Sequence, residues 1–568
     1  MSVILEMVRK FNVKKGKVSD WTDSCISPSL ILVLILGFAL LVRVLRAKAG
    51  LPYLYAWDEP QTASNALQML KTGNFNPHFF AYGTLTIYVN YLVDVVHYFY
   101  LMGQPVDAKD TLNALWEIQT VWDTKWHWTI SHPSFYYWNR IAECVFGAAT
   151  VLLVYLVSKL ALNNRWASLL SALTLAAMGA HIDASVTIAP DILVAFFVLA
   201  TVFMSLLFVD TRNTRHIFWA LLFSGCAIAT KYNSLLVLIL PTIALFYANV
   251  KHRPDFKQKW VWMLPVVPVV TFVICMPFAL LDSAAFLHGI GSELRHYKVL
   301  GHAGASSEPG WPNMVYQFAY FRQNLGLVGS IIAWVGLLNV FRKPKMWLIL
   351  LLPVLYFLYM TQMKVNFHRN FILVYPFIAV LFGSSVDLIY AGVRQIAKKS
   401  NARPLIINFG TVLMSALVLF VMSMAWEQLR ISLAIKHHRD SRTLVIDRLD
   451  DLPNIDKVYF AAELRMHAQD VKRLGKPHET LNLSEIYACP SPVNDGVVLL
   501  PALIDAVFPT AEERTYLSIY EERLKQIPDD SVLLRGGQKD SATLLDIYST
   551  DPEIIAVRGS QLIKCVGK

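Results

Sequence analysis

Asp58 and Glu59 stand side by side just past the first apolar run of this 568-residue chain, and Arg140, Glu143, Asp191, Lys231, Lys364, His368 and Arg369 follow at wide intervals. These residue types supply two kinds of chemistry. A carboxylate takes a proton from a hydroxyl or holds a hard cation, and a guanidinium or ammonium steadies charge developing on a phosphate. Their surroundings make them conspicuous. Each lies in or at the end of an apolar stretch, where an ionisable side chain costs several kcal/mol unless it faces a polar cavity.

Each also has a plain structural role open to it. Arg43, Arg46 and Lys48 are placed to snorkel from the end of the first apolar run. Arg140 has Glu143 at helical spacing, and Lys231 stands where one apolar run gives way to the next. His368 beside Arg369 would serve as interfacial packing, and Asp191, directly after Pro190, would complement a helix N-terminus. Six separate segments nevertheless bring acids and bases to one face, which is what an enzyme handling a lipid phosphate at an interface requires.

The elements that position these residues are membrane spans. The chain is 55% hydrophobic and 16% charged, too apolar for an ordinary soluble domain. Its apolar runs reach about 18 residues, enough to cross roughly 30 Å of hydrocarbon as helix. About eleven such spans are expected, at 28–46, 136–158, 166–182, 184–209, 216–230, 232–250, 260–281, 324–341, 346–362, 370–391 and 404–425. The first lies behind Arg9, Lys10, Lys14, Lys15 and Lys17 and reads as a retained signal anchor. With the N-terminus, residues 1–27, in the cytoplasm, the loops at 159–165, 210–215, 251–259, 342–345 and 394–403 are cytoplasmic, and each is short and basic. The net charge of +10 is spread through these loops, which argues against a nucleic-acid face. The six cysteines have no CxxC spacing; Cys489 and Cys565 are placed to pair if the tail is exported.

The opposite loops differ in kind. The first, 47–135, is long, with helical periodicity at 61–71 and 85–102 and tyrosines suited to the membrane surface. The second, 282–323, carries His296 and His302 and is expected to cover a site; these histidines and His78 are too isolated to read as metal ligands. A change of composition near Trp426 marks a tail, 426–568, that the odd span count places outside. Strand-like runs at 457–461, 496–500, 543–548 and 553–558 alternate with helical ones at 441–452 and 511–526, which predicts a small α/β domain. The fold class expected is therefore a polytopic α-helical membrane protein, catalytic over 28–425, with an extracytoplasmic α/β domain.

The stretch Trp57-Asp58-Glu59-Pro60, Ala66, Met69, Gly73, Asn76-Pro77, Phe79-Phe80-Ala81-Tyr82, Leu85 and Tyr88 resembles the first outer loop of the dolichyl-phosphate-mannose-protein mannosyltransferase family and its bacterial relatives, of the GT-C type. The likeness continues through residues 140–147, Ala189-Pro190-Asp191, Thr230-Lys231-Tyr232, His368-Arg369-Asn370 and Tyr375-Pro376. Gly83 stands where relatives often carry Pro, and a Trp-rich insertion at 116–128 precedes the second span. The resemblance implies an inverting transfer of a sugar from a polyprenyl-phosphate donor to an acceptor hydroxyl on the extracytoplasmic face of a bacterial or archaeal plasma membrane. It assigns Asp58 as the base and Glu59 as its helper or a second ligand. Arg140, Lys231, Arg369 and His368 are then the candidates for the donor phosphate. A divalent cation, magnesium or manganese, is compatible with this chemistry and would take Asp58 and Asp191 first. Two rivals remain from other classes: a secondary transporter, whose charges would line a substrate path, and a membrane scaffold acting through the tail.

Overall fold

Of the chain, the computed structural model describes residues 27–104, 132–252, 259–399, 403–449, 455–482, 496–501, 532–536 and 554–558, apart from 54, 55, 57 and 303. Its helices are α1 (Pro28–Val44), α2 (Glu59–Thr72), α3 (Leu85–Met102), α4 (Pro133–Leu162), α5 (Arg165–Ala176), α6 (Gly179–Ala184), α7 (Pro190–Thr211) and α8 (Thr214–Thr230). They continue as α9 (Ile239–His252), α10 (Lys259–Cys275), α11 (Phe278–Leu281), α12 (Ser283–Arg295), α13 (Trp311–Gly336), α14 (Lys345–Thr361), α15 (Tyr375–Lys399) and α16 (Arg403–His437). Five are long and apolar enough to cross a membrane, among them α4, α7 and α15, and four more apolar helical stretches are shorter. The protein is thus a mostly helical, multi-pass membrane protein. Leu30, Val33, Leu34, Leu405, Phe409, Val412 and Leu419 stay exposed on α1 and α16, side chains that lipid would cover.

Helix α7 is packed on nearly every side, with Ile192, Val198, Leu199 and Leu206 in the main core beside Val151 and Val154 of α4 and Phe377 and Val380 of α15. It fixes the two ends of the bundle. Asp191 lies in its first turn and Asp210 in its last, about 28 Å apart at 1.5 Å per residue. At the Asp210 end, Lys345 bonds that carboxylate at 2.7 Å and the Leu160 carbonyl at 3.0 Å, while Lys343 donates to the Leu162 carbonyl at 2.6 Å. These lysines satisfy the last carbonyls of α4, where positive charge complements the helix dipole. Three of the short basic loops thus meet at one end of the bundle.

The other end holds the long loops. Glycine ends α2: Gly73 adopts a φ of 70° and its N–H closes on the Met69 carbonyl. Asx turns at Asn74 and Asn76 reverse the chain, and the Asn76 amide donates to Asp282 at 2.8 Å, tying the first long loop to the second. In α3 the polar Asn90, Asp94 and His97 face the protein and Leu92, Val96 and Phe99 face outward. The second long loop contains α12, a short π-helical turn (His296–Leu300) and the start of α13. The Trp-rich segment at 116–128 lies outside the described residues.

Helix α16 runs on to His437, so the change of composition near Trp426 falls inside a helix. Beyond it come α17 (Ser441–Leu449), β1 (Val458–Ala461), α18 (Ala468–Arg473), β2 (His478–Leu481), β3 (Val497–Pro501), β4 (Val532–Gly536) and β5 (Ile554–Arg558). The strands form a mixed sheet in the order β2-β1-β3-β5-β4, parallel from β2 to β3 and antiparallel at β5. The strand expected at 543–548 and the helix at 511–526 lie outside the described residues. Strand β2 was missed because its four side chains are exposed or half-buried and show no apolar run. Tyr53 joins this domain to the first long loop: its hydroxyl donates to Asp470 at 2.6 Å and accepts from the His467 N–H at 3.2 Å, beneath the Arg442 guanidinium.

Candidate active site

Asp58 immediately precedes α2, a position from which an aspartate often caps its helix. Its side chain makes no such bond and instead pairs with Arg369, which sits on a 3₁₀ turn (His368–Phe371) between α14 and α15. Arg369 also donates to the Tyr82 hydroxyl at 3.3 Å and lies over the Phe367 ring. Both partners keep some exposure.

Glu59 differs from its neighbour. It is 0% exposed, and its two oxygens receive the Nε and Nη2 of Arg140 at 2.7 and 2.6 Å. The Ile188 N–H adds a bond at 3.1 Å, and Nη1 of Arg140 donates to the carbonyls of Ala47 and Ala49 at 3.1 and 2.7 Å. Together these bonds of Arg140 and Glu59 clamp the start of α2, the N-terminal third of α4, the chain after α1 and the chain before α7. Arg140 has each of its donor nitrogens engaged within the protein. Glu143, the partner offered by helical spacing, is buried and leaves its Oε2 without a hydrogen bond.

Pro190 opens α7 and places Asp191 in its first turn. Lys231, where α8 ends, reaches Asp191 at 2.7 Å and the Asn370 side-chain oxygen at 3.1 Å. That same oxygen accepts from the Tyr297 hydroxyl at 3.0 Å. Because Arg369 and Asn370 are consecutive, as are Asp58 and Glu59, and Ile188 stands three residues before Asp191, three ion pairs from five chain segments form one connected group. Close backbone approach makes this possible. A Cβ on Gly83 would come within 2.1 Å of the Ala229 carbonyl, so only glycine lets the first long loop lie against the end of α8.

His368 lies apart from the cations. Its ring stacks on Tyr320, bonds the Tyr375 hydroxyl and meets the Asn324 amide at 3.2 Å, and burial holds it down at about 4. Burial disfavours its charged form, so in this arrangement the ring acts as a hydrogen-bonding group among Tyr320, Tyr375 and Asn324. Arg43 and Arg46 do not snorkel: Arg43 bonds Ser185 at 3.0 Å and His181 at 2.7 Å, and Arg46 bonds Asp183, Ser432 and Gln428, all inside the protein. The acids offered to a divalent cation, Asp58 and Asp191, are each held by a side-chain cation, and a metal would have to displace both. Among the described residues no group of three or more His, Cys, Asp or Glu side chains is arranged to hold a metal ion.

One carboxyl was missed. Glu293 on α12 faces the group, and burial raises it to about 7 against the pull of Lys231. Its segment has no long apolar run to make the charge stand out, and only the length of the loop drew notice to it.

A multi-pass helical membrane protein with three ion pairs joined in one group at one end of its helices is the class these observations define. Residues 138–280, about a quarter of the chain, match the family described as dolichyl-phosphate-mannose-protein mannosyltransferase. The matched segment holds Arg140, Glu143, Asp191 and Lys231. Among solved structures, apo ArnT from Cupriavidus metallidurans is similar over 93% of this chain and 98% of that one, at 13% identity and a TM-score of 0.48. AglB, the archaeal oligosaccharyltransferase from Archaeoglobus fulgidus solved with an inhibitory peptide and a dolichol-phosphate, is similar over 83% of this chain and 69% of that one, at 11% identity and a TM-score of 0.44. The S. cerevisiae protein O-mannosyltransferase Pmt1-Pmt2 complex bound to its sugar donor is similar over 51% and 39%, at 15% identity and a TM-score of 0.34. No curated protein matches the chain.

Proposed function

We propose that this chain moves a sugar from a polyprenyl-phosphate donor to an acceptor hydroxyl, of protein, lipid or glycan, with inversion at the anomeric carbon. The observation that carries the proposal is the contact between Asp58 and Arg369 beside the Lys231–Asp191 pair, a carboxylate and two cations within one connected group. The acceptor oxygen attacks the anomeric carbon, the bond from that carbon to the phosphate oxygen breaks, and its electrons leave with the polyprenyl phosphate. Asp58 takes the hydroxyl proton. Arg369 and Lys231 meet the charge gathering on the phosphate, where preorganised cations lower the barrier most.

The resting pair has a consequence for this chemistry. Arg369 occupies the Asp58 carboxylate at rest, and an incoming phosphate competes for the guanidinium and frees the carboxylate where the acceptor needs it. Arg140 is assigned to the scaffold, since each of its donor nitrogens already has an acceptor. The basic loops gathered at the Asp210 end support a cytoplasmic location for that end, and with it an extracytoplasmic acid–base group and sheet domain.

The test incubates purified protein with radiolabelled polyprenyl-phosphate sugars and membrane extract. The expected result is transfer from at least one donor by the wild type and none by Asp58→Asn, a variant of equal size that remains folded in the membrane. Near-normal turnover by Asp58→Asn removes the proposed base.

A further inference from the structure

Helix α12 lies over the acid–base group on one face. Phe286, Gly289 and Glu293 follow one another at helical spacing on that face. The Phe286 ring packs edge-on against Phe80 at 6.0 Å and against Tyr232 at 6.1 Å. A Cβ on Gly289 would come within 2.8 Å of Phe80, so the helix backbone rests directly on the first long loop. One turn further on, Glu293 has Tyr82, Tyr232, Tyr297 and Lys231 as the ionisable groups around it.

Three acids of the group are neutralised, Asp58 by Arg369, Glu59 by Arg140 and Asp191 by Lys231, while Glu143 is buried with its Oε2 unbonded. Glu293, half-buried, makes no hydrogen bond or ion pair with any described residue. A half-buried carboxyl so placed has lost part of its hydration without gaining a protein donor, and a ligand hydroxyl entering from the open side would supply one. Sugar hydroxyls are such donors, and the phenol rings beside it offer apolar faces to a pyranose.

We propose that Glu293 touches the substrate, accepting hydrogen bonds from hydroxyls of the transferred sugar on the α12 side of the site, away from the reacting bond. This rests on the glycosyl-transfer reading above. Burial supports it: with a midpoint of about 7, the carboxyl is shared between acid and base forms near neutrality and both donates to and accepts from vicinal hydroxyls.

The test measures binding of two probes, bare polyprenyl phosphate and the radiolabelled polyprenyl-phosphate sugar that the wild type turns over fastest, to wild type, Glu293→Gln and Glu293→Ala. Glu293→Gln keeps the size of the side chain, and its unfolding midpoint in detergent reports whether the fold survives. The expected result is a loss of about tenfold or more for the sugar-bearing lipid in Glu293→Ala and a smaller loss in Glu293→Gln, whose amide still accepts and donates, with bare lipid within about twofold of wild type in both. Selection between epimeric sugars should relax in the same variants. Equal losses for both lipids, or no loss for either, overturn the assignment while leaving the transferase reading in place. A wild type that transfers from no donor and binds both probes alike removes that reading, and the assignment with it.

Discussion

Replacing Arg140 by Ala separates a scaffold role from a phosphate-binding one. The change strands the Glu59 carboxylate, which is 0% exposed, with the Ile188 N–H as its remaining hydrogen bond among the described residues, and strips the donor from the Ala47 and Ala49 carbonyls. Breaking a buried ion pair from one side typically costs about 3–5 kcal/mol, because the surviving charge has neither water nor partner. Glu59→Ala should cost a similar amount for the same reason. Removing both leaves no buried charge, so the double variant should be less destabilised than the two singles together, with a coupling of about 2 kcal/mol. The assay is denaturant unfolding of the four proteins in one detergent, followed by binding of bare polyprenyl phosphate to those that remain folded. If Arg140→Ala unfolds within about 1 kcal/mol of wild type while its affinity for polyprenyl phosphate collapses, the reasoning fails. Arg140 would then be a phosphate ligand whose contact with Glu59 belongs to the empty site.

Three further outcomes follow from the geometry. Gly83→Ala drives a methyl into the Ala229 carbonyl and should destabilise by about 1–3 kcal/mol, read as a lower unfolding midpoint, with a larger loss of turnover than a surface Gly→Ala change such as Gly291→Ala produces. Tyr53→Phe removes the hydroxyl between Asp470 and His467 and should loosen the sheet domain by about 2 kcal/mol, seen as faster proteolysis after α16. The third concerns pH: Glu293 is raised from 4.5 to about 7, so folding takes up a proton between those values. Its contribution to docking α12 is complete below pH 4.5 and is lost as pH rises through 7, so hydrogen exchange in α12 should quicken across that window and lose this dependence in Glu293→Gln.

Much of the architecture could be read along the chain because the signals are local. Apolar runs mark the spans, the periodicity at 61–71 and 85–102 finds α2 and α3, and Gly73 stops α2. An ionisable residue in an apolar stretch is conspicuous for the same reason, which is how Asp58, Glu59, Arg140, Asp191, Lys231 and Arg369 came to notice. Their pairing was decided elsewhere. Helical spacing offers Arg140 the acid three residues on, whereas the folded chain brings it Glu59 from 81 residues away. Spacing sees one face of one helix; a partner from another segment depends on how helices pack. Packing against Tyr320 and Tyr375 set His368, an expected cation, in a hydrogen-bonding role. Glu293 carries the same lesson. In its own segment it is an ordinary acid on an amphipathic helix, and it becomes a site residue through the contact of Gly289 with Phe80. The sequence by itself determined the apolar helices, the basic loops and the pool of charged residues; the packing of α12 and the 3₁₀ turn against the first long loop decided which of them pair, and brought Glu293 beside them without a partner among the described residues.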